Sequence, residues 1–179
     1  NRKTVGAQDE IMDCTRLTHG HVIEAFDHSH IQGTDPVSAM VTFVDGRAEK
    51  KLYRKYKLTQ TAERAGANED ANTREVIYRR YSRLLKEGKA LPDLILMDGG
   101  VVELNAAKDV LENELGLTIP VAGMVKDNHH KTASLLFGEA DQTIQLDPKS
   151  QGFYLLTRIQ DEVHALRLVF IVSCVVRIR

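Results

Sequence analysis

The chain has 179 residues, 42% of them hydrophobic and 27% charged, with a formal net charge of −1 at pH 7. That is enough chain for one globular domain with a real core and room for a small appendage. No apolar run reaches the ~18 residues of a membrane helix, no secretory signal is read in the opening residues, and no overall basic charge advertises a nucleic-acid binder.

Residues 1–20 are polar and weakly periodic, with Ile11, Met12 and Leu17 able to share one side of a short helix. An opening Asn1 rather than Met reads as a piece of a longer protein, and residues 1–20 as a lead-in from an upstream region. Val22–Asp27 is predicted as a strand that ends on an acid, followed by a polar loop over 28–35. Pro36 leads into the apolar strand Val37–Val44. Asp45-Gly46 is a strong hairpin signal, and a returning strand is predicted over 48–58. Residues 60–72 read as a loop. Thr73–Glu87 has helical spacing, with Val76, Ile77, Tyr81, Leu84 and Leu85 on one face and Gly88 as the stop. After Pro92 comes a short buried strand, Leu94–Met97, again ending on an acid, Asp98. A helix is expected over 101–115, a strand over 119–125, an edge strand over Thr143–Leu146 and a last helix over Ser150–Ala165. The order predicts an α/β fold, a mixed sheet of three antiparallel strands followed by parallel strands, flanked by helices.

Two aspartates stand out because each closes an apolar strand. Ligands of open α/β sheets gather at the carboxyl ends of strands. If the two strands are neighbours, Asp27 and Asp98 share one crevice, and close carboxylates call for a proton or a cation. A hard divalent ion, Mg²⁺ or Mn²⁺, suits oxygen ligands and activates water for phosphodiester cleavage. The alternative, that strand-end aspartates cap turns, stays open on spacing alone. His164 lies on the last helix, where a lone histidine is more often an ordinary surface or core residue. His28, His30, His129 and His130 fall in polar surroundings and are weak metal signals. Positive charge is segregated into the ribbon 47–57, with Lys50, Lys51, Arg54 and Lys55, and into the helix with Arg79 and Arg80. Such residues bind phosphates by releasing counterions, though solvated faces explain them equally well. Gly99-Gly100 is half of a phosphate-binding turn without the rest of either nucleotide fingerprint. The two cysteines, Cys14 and Cys174, form no motif and leave a reducing compartment as the default.

These residues together resemble the C-terminal endonuclease half of the UvrC excinuclease family. The matching stretches are Ile23–His30 with Gln32-Gly33, Pro36–Gly46, Tyr53–Lys57, Thr73–Val76 with Arg79-Arg80-Tyr81, and Leu91–Gly100. Pro120–Met124 with Lys126-Asp127 and Phe153–His164 follow in the same order. The resemblance covers residues 21–164. It implies an RNase H-like fold and a metal-dependent DNA endonuclease making the 5′ incision in bacterial nucleotide excision repair. It implies a catalytic and metal-holding set of Asp27, Asp98 and His164 with Mg²⁺ or Mn²⁺, and a phosphate contact at Lys126. It further implies damaged double-stranded DNA and the helicase subunit of the excinuclease as partners, the latter through a segment absent here, and a cytoplasmic, non-membrane location. A resolvase-like nuclease and a catalytically inactive DNA-binding or assembly module of the same fold are the competing readings.

The chain departs from the family at two places. Val101-Val102 stand where a lysine and a glycine often follow Asp98-Gly99-Gly100. After His164 the family continues Arg-Phe-Ala-Ile-Thr-Phe-His-Arg, whereas this chain reads Ala165-Leu166-Arg167-Leu168 and on through an apolar tail. With one free choice of codons, Ala165–Leu168 read one base earlier spells Arg-Phe-Ala-Ile, which suggests a one-base deletion just after the His164 codon, with 165–179 off-frame. The helix carrying His164 is then expected to lose its usual packing and to expose an apolar tail.

Overall fold

The computed structural model describes residues 22–29, 36–59, 69–126, 132–137 and 142–178. The short helix expected near Ile11, Met12 and Leu17, and His30, His129 and His130, lie outside them.

Two parallel strands form the centre. β1 (Val22–Ser29) and β5 (Leu94–Met97) pair directly, with Phe26 opposite Met97. Both are buried from the two sides, which is why β5 reads as an unbroken apolar run and β1 as an apolar stretch broken by Glu24 before it reaches Asp27. The entry to the pair is clamped: the Val22 N–H donates to the Asp93 carboxylate at 2.9 Å, and the Asp93 N–H to the Val22 carbonyl at 2.9 Å. Beyond β1 lies β2 (Val37–Val44), antiparallel to it. β3 (Arg47–Ala48) and β4 (Arg54–Lys57) both pair with β2. On the other side of β5, β6 (Val121–Lys126) is parallel, then β7 (Thr132–Phe137) and β8 (Gln142–Gln145) are antiparallel. Among the described residues the sheet has 8 strands, in the order β3-β2-β1-β5-β6-β7-β8, with β4 continuing the edge beside β2. This is the mixed, helix-flanked sheet that the chain order predicts.

Period-2 alternation divides the core into two layers. Ile23, Ala25, Ala39, Val41, Phe43, Leu94 and Leu96 point to one face, where they meet Leu155, Leu156, Ile159 and Val163 of α3 (Gln151–Ile178). Each of those four helix residues is fully buried and contributes roughly 1.5–3 kcal/mol. Phe26, Met40, Ile95 and Met97 point the other way. They meet Val76, Ile77, Tyr81 and Leu84 of α1 (Glu69–Glu87) and Leu104, Ala107, Val110 and Leu111 of α2 (Val101–Asp109) with its π-helical continuation Val110–Glu114.

Several sequence expectations need correction. The strand expected over 48–58 is broken by a 3₁₀ turn, Lys50–Leu52. Ala48 pairs with Phe43 but Arg54 with Met40, so three extra residues bulge from the edge. The hairpin itself is as expected, with Asp45 and Gly46 at φ 52° and 81°, the left-handed pair of a tight turn. α1 starts at Glu69, inside the expected loop, and Glu69 and Asp70 favour the positive end of its dipole. Leu85 points to solvent, leaving Val76, Ile77, Tyr81 and Leu84 as the buried stripe. β7 is an addition to the expected elements, with Leu135 and Leu136 buried in it. α3 does not stop near Ala165 but runs to Ile178, and its packing against the sheet persists through Val163, with Leu166 half-buried beyond.

Candidate metal centre

The alternation that sorts the core also aims the acids. Along β1, Ile23 and Ala25 face α3, so Asp27 faces it as well. Along β5, Leu94 and Leu96 face α3, and Asp98, next after Met97, follows them. The Asp98 N–H donates to the Phe26 carbonyl at 2.9 Å, which sets the two carboxylates side by side at the end of the parallel pair. On α3 the stripe Leu156, Ile159 and Val163 runs over the strands at helical spacing. Where the strands end below it, His164 and then Arg167 take over that stripe.

Asp27, Asp98 and His164 thereby offer ligand atoms that all lie within 4.8 Å of one another. His164 Nε2 is hydrogen-bonded to Asp98 Oδ2 and lies 3.4 Å from Asp27 Oδ2. The carboxylate side chains are 4% and 1% exposed, the imidazole 31%, so the cluster is buried from below and open beside the histidine. Two buried carboxylates with oxygens within 4.8 Å of each other concentrate negative charge that a cation offsets. Two hard oxygen ligands and one imidazole form a donor set that suits a divalent ion. The three residues the sequence singled out are thus brought together.

Residues 13–167 match the family model for the UvrC RNase H endonuclease domain. The chain belongs to that family. UvrABC system protein C of Latilactobacillus sakei is 95% identical over 170 residues, which cover 95% of this chain and 29% of that protein. The protein of the same name from Lacticaseibacillus casei is 71% identical over 170 residues, covering 95% of this chain and 28% of its own length. The chain therefore spans less than a third of these curated relatives. Among solved structures, the catalytic domain of human endonuclease V aligns at a TM-score of 0.48 with 11% identity, covering 87% of this chain and 85% of that one.

Around the centre of this UvrC-type domain are groups that sequence reasoning missed. Arg167 Nη1 lies 3.3 Å from Asp27 Oδ2 and 3.4 Å from Oδ1. Its place three residues after His164 is the available signal, masked because the residue falls in the divergent tail. His28 faces away from the centre, toward α1. Its Nδ1 meets Ser38 Oγ at 2.8 Å and its Nε2 meets Thr73 Oγ1 at 3.1 Å. Burial pushes this imidazole down to about 4, against an upward pull from Glu69 and Asp98. Glu103 accepts the Gly100 N–H at 3.0 Å and so caps α2. Burial, and then a hydrogen bond shared with Glu69, push its carboxyl up to about 7. The half phosphate-turn at Gly99-Gly100 is thus already occupied by the chain's own acid. A Cβ on Gly99 would sit 2.6 Å from the Glu103 carboxyl carbon, so a larger residue here would push that side chain out of its cap.

The basic residues divide in two. Arg80 is turned inward, where its Nη2 is 2.8 Å from Glu24 Oε2, and Tyr81 donates to the other oxygen of Glu24 at 2.7 Å. Glu24 has the parity opposite to Asp27, and that alone marks it as a structural acid. Arg79 donates to the Lys57 carbonyl at 2.6 Å and to Glu75 at 3.0 Å, and lies over the Tyr56 ring. On the ribbon, Lys50, Lys51, Arg54 and Lys55 are exposed. Arg54 donates to backbone carbonyls, those of Lys51 and Tyr53. Lys55 pairs with Ala39, which pairs with Asp27, so the lysine stands in the same row and on the same face as the catalytic candidate. Two strand spacings put it ~10 Å from Asp27. Lys126 ends β6, the strand beside β5.

Proposed function

We propose that this chain is the metal-dependent DNA endonuclease domain that makes the 5′ incision in bacterial nucleotide excision repair. The observation that carries the reading is the convergence of Asp27, Asp98 and His164 at the end of the central strand pair. Asp27 and Asp98 hold Mg²⁺ or Mn²⁺, His164 completes the site, and Lys126 contacts phosphate. A divalent ion bound there supplies Lewis acidity toward a phosphodiester oxygen and a more acidic water. The chain's own residues do the rest. The buried carboxylates fix the position of the ion. The half-exposed His164 imidazole, on the open side, is placed to accept or deliver a proton. Lys55, in the same row as Asp27 and two strands away, and its exposed neighbours Lys50, Lys51 and Arg54 hold the DNA backbone.

The substrate is damaged double-stranded DNA, delivered with the helicase subunit of the excinuclease by parts of the protein beyond this chain, in the cytoplasm. Residues 165–179 read as an off-frame tail. The exposure of Leu168, Val169 and Val172 on α3 supports that reading, since a selected helix face seldom leaves such a run uncovered. Resequencing across codons 160–179 tests it, and a restored base would give the family-like continuation. The functional test is Asp27→Ala in the intact parent protein. It should abolish 5′ nicking and spare 3′ nicking, and equal loss of both cuts would overturn the assignment.

A further inference from the structure

We infer that Arg167, although it falls in the tail read above as off-frame, acts in this chain as a counter-ion of the metal centre: it neutralises Asp27 when no divalent ion is bound and competes with that ion for the carboxylate. The inference rests on the metal reading above.

The geometry puts one guanidinium nitrogen across both oxygens of Asp27, at 3.3 and 3.4 Å. One of these oxygens, Oδ2, is also the atom 3.4 Å from His164 Nε2, and so belongs to the ligand cluster. A divalent ion shared by Asp27 and His164 therefore needs the edge of Asp27 that Arg167 occupies. The contact is largely out of water, with the arginine side chain 25% exposed and the aspartate 4%, so salt and solvent screen it incompletely.

The contact is also loose enough to be given up. A good charge-assisted bond is ~2.7–2.9 Å long and a strong arginine–carboxylate pair is a parallel two-nitrogen fork. Here a single nitrogen serves both oxygens, and both distances are longer. Among the described residues the buried Arg167 Nε has no hydrogen-bond partner. The side chain is flexible, and the next helix positions, Leu168 and Val169, are exposed, so solvent is within its reach. Arginine does not deprotonate in proteins, so the competition is relieved by displacement rather than by alkali. One turn further along α3, Phe170 lies against Lys55, whose Nζ is 5.6 Å from the ring centre. The helix extension thus follows the row that joins the acids to the ribbon, and Arg167 meets Asp27 as part of that path.

The test is Mn²⁺ binding by isothermal titration calorimetry on the whole 179-residue chain, at fixed ionic strength. The parent is compared with Arg167→Gln, Arg167→Lys and Lys86→Gln, the last removing an exposed positive charge on α1. Arg167→Gln should tighten Mn²⁺ binding roughly tenfold, with Arg167→Lys close to the parent and Lys86→Gln unchanged. In parallel, melting in chelator should show Arg167→Gln destabilised, and Mn²⁺ should raise its Tm by more than it raises the parent's. Equal or weaker binding by Arg167→Gln overturns the inference, as does equal tightening by Lys86→Gln. Binding by the parent alongside an unresponsive Arg167→Gln leaves the metal reading intact, whereas no binding by any chain overturns that reading and the inference with it.

Discussion

Asp98 and His164 are 66 residues apart in the chain, yet the carboxylate Oδ2 of the first is hydrogen-bonded to the imidazole Nε2 of the second. Loss of either should remove a metal ligand rather than a supporting contact. Asp98→Asn and His164→Ala should each weaken Mn²⁺ binding by more than the ~10–100-fold typical of losing an outer partner. Calorimetric titration checks this. A residual affinity within a few-fold of the parent would mean that the ion sits elsewhere.

The inward turn of Arg80 separates fold from DNA contact. Arg80→Ala leaves the buried Glu24 without its cation and should cost about 3–5 kcal/mol in chemical denaturation. Arg54→Ala breaks hydrogen bonds to exposed backbone and should change stability by less than ~0.5 kcal/mol. If both variants melt like the parent, the Glu24 pair contributes nothing to the core.

DNA affinity should follow the ribbon. Lys50→Ala, Lys51→Ala, Arg54→Ala and Lys55→Ala should each weaken binding across sequences and reduce the salt-dependence slope by about 1. Fluorescence anisotropy at several salt concentrations reads both quantities. Unchanged slopes in all four would move the backbone contact away from this edge.

The carboxyl of Glu103 predicts a pH effect on stability. Its folded value, pushed up to about 7 from the usual 4.5 by burial and by Glu69, means that the folded chain holds a proton which the unfolded chain has already released. The stabilisation is therefore complete below about 4.5 and is lost as the pH rises through about 7. Glu103→Gln keeps an oxygen for the Gly100 N–H and removes the ionisation. Its Tm should equal the parent's near pH 4.5 and exceed it at pH 8. A constant difference across that range would show that ionisation of Glu103 does not matter to folding.

Much of this is legible in the sequence because the central strands obey simple rules. Val37–Val44 and Leu94–Met97 are strands as predicted, and parity along β1 and β5 already aims Asp27 and Asp98 at one face. His164 is different: its helix can be read, but not the fact that this turn of α3 ends up above the strand ends. Arg80 looks like a surface cation because nothing local reports that Glu24 waits on the other side of a helix–sheet contact. The 3₁₀ bulge at Lys50–Leu52 is hidden by a run of alternating residues that suits a strand equally well. β7 escapes reading because Leu135-Leu136 is a short apolar run of the kind that periodicity alone does not assign.

The parallel pairing of β1 with β5 has a kinetic consequence. A parallel neighbour cannot be made by a tight turn, so Asp27 and Asp98 meet only after the long intervening stretch, α1 included, has been gathered in. His164 arrives later still in the chain and must wait for α3 to dock. Loop closure has to be completed before any of these contacts gives a return, so the carboxylate cluster is expected to form late in folding. A ligand that recognises the finished cluster binds the native chain and not the unfolded one, and so stabilises it by mass action. Its effect should fall on the unfolding rate, because what it ties together is assembled after most of the fold is already in place.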